Sequence, residues 1–343
     1  MQVDMKRFFL CLWIAMMGCN VVLFAQDENR PCDQNFTAAI KFDFSRPIEH
    51  KFSVSANKAV YFSKGNLLYC PEDTAWKFAE NQYDMIGADN ANISSTYKGW
   101  IDLFGWGTSG FTRTTNDEYD FNSKPFCFDT IRISRTYNYY AYGPSYNYTG
   151  NGDGNIYGDE QRRLYDWGQY NPILEVFIIR NKYGVEIRRD STVHFLSTWR
   201  TLTAEEWTYL MNSRSMSNET STKLWTPANL MLDDKTYKGI LIFPDDFVFE
   251  ELGVQHYTLG STSSTATVDK TTWEIMEDAG VVFLPYTGNR VEKNVSNVET
   301  HGYYWSASVN NAKTAKAINI KTGAVVNAER AYGYSVRLVK DAE

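Results

Sequence analysis

Two short, unbroken apolar runs constrain this chain more than anything else in it: "GILIFP" at 239–244 and "VVFLP" at 281–285. Runs this short and continuous read as buried strands. A helix can be argued ahead of each. In "TLTAEEWTYLMNSR", Thr203 is an N-cap with Glu206 three residues on. Leu202 and Trp207 take the two positions of a hydrophobic staple. In "TTWEIMEDAG", Thr271 and Glu274 repeat the box and Gly280 supplies the stop. Short strands with only two helices predict an α+β fold, not a doubly wound sheet.

Upstream, "AVYF" at 59–62 and "NLLY" at 66–69 read as strands around Lys64-Gly65. At the other end, Tyr303–Ser306 is a strand. Ala317–Ile320 alternates and turns at Lys321-Thr322-Gly323, and the chain returns through Ala324–Val326. Ser335–Val339 is expected to close the sheet. Ile318, Ile320, Val336 and Leu338 form its buried side, leaving Asn319, Lys321 and Asn327 to point outwards.

The first residues bound the compartment. Lys6 and Arg7 precede an apolar run from Phe8 to Ala25, the pattern of an export signal cleaved after Ala25. Residues 26–51 read as a leader, and 52–340 as one domain. After signal removal no stretch is apolar enough to span a bilayer. With 43 % hydrophobic and 15 % aromatic residues, the remainder can build a large core. The net charge of −7 without a basic stripe argues against nucleic acid. Of Cys32, Cys70 and Cys127, a Cys70–Cys127 bridge is one pairing that an oxidising space allows.

Residues 112–165 are irregular. "TYNYYAYGPSYNYTG" carries Tyr137, Tyr139, Tyr140, Tyr142, Tyr146 and Tyr148. It reads either as a sugar-stacking or partner loop, or as a loop covering the domain body. "NGDGNIYGDE" hints at calcium from Asp153, but Tyr157 and Leu164 fall where oxygen ligands are needed. No other metal pattern is present, so the only cofactor to consider is that weak calcium hint.

No catalytic motif is found: no nucleophile elbow, phosphate loop or paired zinc histidines. His50, His194, His256 and His301 are isolated from one another. Asp245-Asp246 after the first apolar strand reads as a turn cap, with a ligand or catalytic carboxylate as the other reading.

In order, "FSKGNLLY", "WKFAENQYDMIG", "YKGWIDLFGWGTSG", "DWGQYNPI", "WRTLTAEEWTYLMNSR", "GILIFPDDF", "WEIMEDAGVVFLP", "GYYWSAS" and "GYSVRLV" resemble the Fibrobacter succinogenes major paralogous domain of Bacteroidetes-type exported proteins. That family is similar to C-type-lectin-like domains and to the formylglycine-generating enzymes. The resemblance implies a lectin-like α+β domain, exported to the periplasm or cell surface, with a ligand face on its final strands. Two departures stand out. An extra hairpin, Val176–Ile179 with Val185–Ile187, fills 173–198, and no cysteine follows Cys127, which disfavours formylglycine chemistry.

The expected function is non-catalytic recognition or adhesion toward a glycan or protein on another surface. The expected binding residues are Asn310, Asn311, Lys313, Asn319, Asn327, Arg330 and Tyr332. Trp199, Arg200, Glu206, Trp207, Trp305 and Arg337 read as framework. The alternatives are an exported carbohydrate-active enzyme or a subunit of a surface assembly.

Overall fold

A computed structural model describes residues 47–70, 75–92, 97–106, 178–180, 186–189, 199–214, 216, 220–291, 293–310, 314–329 and 332–342. The expected signal and most of the expected leader, the tyrosine-rich segment, the calcium-like run, Cys32, Cys127, His194, Asn311, Lys313 and Arg330 lie outside them.

The described chain is mixed α+β, mostly strands in small sheets with few helices. It begins with the hairpin β1 (Phe52–Ser55) and β2 (Lys58–Phe62), then the pair β3 (Leu67–Cys70) and β4 (Ala75–Phe78). A 3-10 turn at Gly87–Ala91 follows. An antiparallel pair of β5 (Ile178–Arg180) and β6 (Glu186–Arg189) comes next, shifted one or two residues from the sequence reading. Next come β7 (Trp199–Arg200), α1 (Ala204–Asn212), β8 (Trp225–Leu232), β9 (Lys235–Ile242) and the one-turn helix α2 (Phe249–Leu252). After β10 (Ala266–Asp269) stand α3 (Lys270–Asp278), β11 (Val282–Pro285), and the pair β12 (Asn289–Val291) and β13 (Asn294–Ser296). The chain closes with β14 (Tyr303–Val309), β15 (Thr314–Asn319), β16 (Ala324–Glu329) and β17 (Val339–Asp341).

The sheet β10-β8-β9-β11 divides the core. Ile240, Ile242, Val282 and Leu284 face one cluster, with Phe52, Phe62, Trp207, Trp225, Tyr304 and Ile318. Leu241, Phe243, Val281 and Phe283 face another, with Phe247, Phe249, Trp273 and Met276. Both faces are therefore covered, which is why these strands read as unbroken apolar runs.

The expected capping box opens α1: Thr203 accepts from the Glu206 amide, and the Glu206 carboxylate accepts from the Thr203 amide at 2.9 Å. The second helix departs from expectation. Its cap is Asp269, whose carboxylate accepts from the Thr272 amide at 2.8 Å, and Glu274 lies exposed. Asp269 ends β10 with an extended backbone, so the helix starts earlier, and its charge favours the helix N-terminus more than a hydroxyl does. Gly280 stops the helix at φ 83°, as expected.

The closing segment also differs from the reading of one C-terminal sheet. Residues 333–338 cross between sheets: Gly333 bridges Arg290, Tyr334 bridges Phe104, and Ser335 bridges Tyr304. Only then does β17 enter a first sheet of order β1-β2-β17-β7. The sheet β14-β15-β16 stays three-stranded. Local alternation shows that such a segment is extended, but its partners are set by distant parts of the chain.

Candidate ligand face and its framework

In an antiparallel pair, directly opposed residues share a face. Tyr304 opposes Ile318, which opposes Val325, and this row packs into the core. Tyr303, Asn319 and Ala324 therefore line the opposite face, as do Trp305, Ala317 and Val326. On that face the rings stack in a ladder. His301 lies parallel to Tyr303 with centroids 6.2 Å apart, and Tyr303 stacks on Tyr334 at 4.8 Å. Tyr334 also meets Trp305 at 4.6 Å, and Tyr332 stands edge-on to Tyr334 at 6.2 Å.

The ladder is anchored from beneath. The Trp305 indole donates to the Phe104 carbonyl at 2.6 Å, and the Trp106 indole donates to the Ser306 carbonyl at 2.8 Å. Trp305 and Tyr334 are buried, whereas His301, Tyr303 and Tyr332 are half-exposed. Ring faces are spent on one another, so such a column offers ring edges, including phenol hydroxyls, to an incoming group. Burial, then the Lys321 charge, holds the His301 imidazole below its ordinary value. Burial, then the neighbouring Tyr303 and Tyr332 phenols, pushes the Tyr334 hydroxyl well above the usual range.

Four expected binding residues are described, and the structure does not gather them in one place. Asn319 and Tyr332 belong to the ladder face, through Tyr303 and Tyr334. The Asn319 side chain also accepts from the Lys321 amide at 3.1 Å and so shapes the turn. Asn310 donates to the Thr314 hydroxyl at 2.8 Å and closes the β14–β15 connection. Asn327 is exposed, but it opposes Lys316 on the other face, where the Lys316 ammonium lies 3.8 Å from Glu205 of α1. The sequence reading missed His301, Tyr303 and Tyr334. The period-two spacing of 301, 303 and 305 was a visible signal for the first two.

Every residue read as framework is buried. Arg200 and Glu206 join β7 to α1 with two hydrogen bonds, and Arg200 also holds Asp341 of β17 at 2.6 Å. Arg337 donates to the Lys64 carbonyl at 2.9 Å and to Gln82 at 3.0 Å, and burial lowers its pKa to about 10. Gln82 is the hidden hub here, since it also binds Glu277, the Val281 carbonyl and the Phe283 amide. Asn90 plays the same part for Asp102, donating to its carboxylate at 2.6 Å while accepting from the Asp102 and Leu103 amides. A single buried Gln or Asn has no sequence signature.

Asp245 acts as a structural tie. Its carboxylate accepts from the Ser53 amide and hydroxyl at 2.7 and 2.6 Å and from Arg214 at 3.2 Å. Asp246 lies against His50 at 3.2 Å. Among the described residues, no three His, Cys, Asp or Glu side chains are grouped to share a metal ion. Cys70 is disulfide-bonded. No described helix is long and apolar enough to cross a membrane.

No protein-family model matches the chain, and no curated protein or solved structure does.

Proposed function

We propose that this chain is an exported, non-catalytic recognition module of lectin-like fold. Its ligand face is the ring ladder of the C-terminal sheet, and its ligand is a glycan or a protein on another surface. The observation that carries the reading is the column His301–Tyr303–Tyr334 with Tyr332 beside it, held on the face of the sheet opposite the core row. His301, Tyr303 and Tyr332 are partly exposed. Half-exposed phenols, with the Asn319 amide opposite Tyr303, offer apolar area and polar tips together, as sugar hydroxyls and peptide edges require. The lectin-like assignment rests on the ordered motifs and on the α+β architecture.

The test is a glycan and protein array probed with the purified chain and with a Tyr303→Ala, Tyr332→Ala double variant. Binding should be lost in the variant while its melting temperature moves little. Retention of binding would place the ligand elsewhere and remove this reading.

A further inference from the structure

The register that builds the ring ladder continues one step past β14 and β15. Tyr303 opposes Asn319, and the Ile320 amide donates to the Gly302 carbonyl at 3.0 Å, so His301 and Lys321 follow as opposed neighbours. Residues two apart on a strand share a face, which sets the half-exposed Lys321 on the ladder face beside His301. The Lys321 charge acts on that imidazole. Glu329, the acid of β16, shares the opposite face with Val325 and Asn327. The backbone on both sides of the pair is fixed. The Asn319 side chain accepts from the Lys321 amide at 3.1 Å, and its carbonyl accepts from the Thr322 and Gly323 amides. Across the sheet, the Asn297 carbonyl accepts from the Thr300 and His301 amides. Asn297 and Glu299 are both left-handed there, at φ 60° and 61°, an uncommon conformation for a glutamate.

We propose that Lys321 makes the ladder selective for a carboxylated glycan: its ammonium takes a uronate carboxylate, while Asn319 and Tyr303 take hydroxyls of the same sugar ring. This rests on the reading of the ladder as the ligand face and names the class of its ligand. The Lys321 and Asn319 rows stand about 7 Å apart, two residues along a strand, a gap that one pyranose bearing a carboxylate bridges. The ammonium–carboxylate hydrogen bond is charge-assisted and so stronger than a neutral one. An acidic peptide fits less well. Extended peptides add to a sheet through the amides of its edge, and the face of a sheet presents side chains alone.

The experiment is calorimetric titration of the purified chain with oligomers of galacturonate, glucuronate and mannuronate. Each is run beside its methyl ester, which keeps the ring and removes the charge. At least one acid should bind, and its ester should bind about tenfold more weakly. Lys321→Gln should bring the acid down to the level of the ester. Lys321→Arg should keep the preference, and neither variant should move the melting temperature. Acid binding should also fall several-fold between about 0.05 and 0.5 M salt. The proposal is overturned if no acid binds, or if acid and ester bind the wild-type chain equally. A preference indifferent to Lys321→Gln, or binding of polyglutamate and of no sugar acid, overturns it as well. Each of these results leaves the ladder reading standing. Acid binding that survives the Tyr303→Ala, Tyr332→Ala double variant would instead remove the ladder reading, and this proposal with it.

Discussion

The guanidinium of Arg200 grips the carboxylate of Glu206 in a two-pronged pair, 2.7 and 2.9 Å, and the same carboxylate closes the N-terminal box of α1. One buried ion pair thus fixes the start of a helix, the two-residue strand β7 and, through Asp341, the last strand. Arg200→Ala strands a buried carboxylate and should cost about 3 kcal/mol or more in urea unfolding. Arg200→Lys should recover only part, because an ammonium cannot form the planar fork. Equal stability of all three proteins would show that Lys58, 3.1 Å from Glu206, suffices alone.

The same cluster sets the acid limit. Burial by itself would raise the Glu206 and Asp341 carboxyls, but hydrogen bonds and charge from Arg200 outweigh it and hold both below the ordinary range. A depressed folded pKa gives stability that is present above the unfolded value, about 4, and lost as pH falls through the folded value. Unfolding below about pH 4 should therefore steepen, and Glu206→Gln should blunt that slope.

Asp102 acts in the opposite direction. It is fully buried, and desolvation raises its pKa to about 6 despite hydrogen bonds from Asn90 and Ile86. The folded state holds this proton more tightly than the unfolded one, so stability falls as pH rises from 3.8 to about 6. The loss should reach about 3 kcal/mol. Urea midpoints at mildly acidic and neutral pH should differ accordingly, and Asp102→Asn should flatten the difference. A flat wild-type profile would contradict the buried-acid account.

Gly239 sits in β9 where a Cβ atom would overlap the Leu284 carbonyl of β11 and lie 2.6 Å from the Phe283 ring. Gly239→Ala should therefore cost about 1–3 kcal/mol through forced strand separation. At Gly87 nothing lies within 4 Å of the same atom, and only its φ of +66° opposes a side chain. Gly87→Ala should cost about 1 kcal/mol. Thermal unfolding of both variants checks the order.

On the ligand face, Asn319→Ala should weaken array binding together with Tyr303→Ala, because the two residues oppose each other across β14 and β15. Asn327→Ala should not, since it lies on the face turned toward α1. Titration of each variant against whichever array ligand is found reads the difference. Equal losses would dissolve the division of the sheet into two faces.

Features that depend on near neighbours were legible in the chain itself. The Thr203–Glu206 box, the Gly280 stop, the two continuous apolar strands and the turn after Asn319 each arise within a few residues, where spacing determines geometry. The cap of α3 was misplaced by two residues because Asp269 also ends a strand, and only the sheet decides where that strand stops. Contacts across more than a hundred residues were invisible: Trp305 with Phe104, Arg337 with Gln82, Asp245 with Ser53, and β17 between β2 and β7. Sequence periodicity tells which side of a strand is apolar. It does not tell which distant strand supplies the missing hydrogen bonds, so the gathering of His301, Tyr303, Tyr332 and Tyr334 into one ladder, and the separation of Asn327 from it, belonged to the tertiary structure alone.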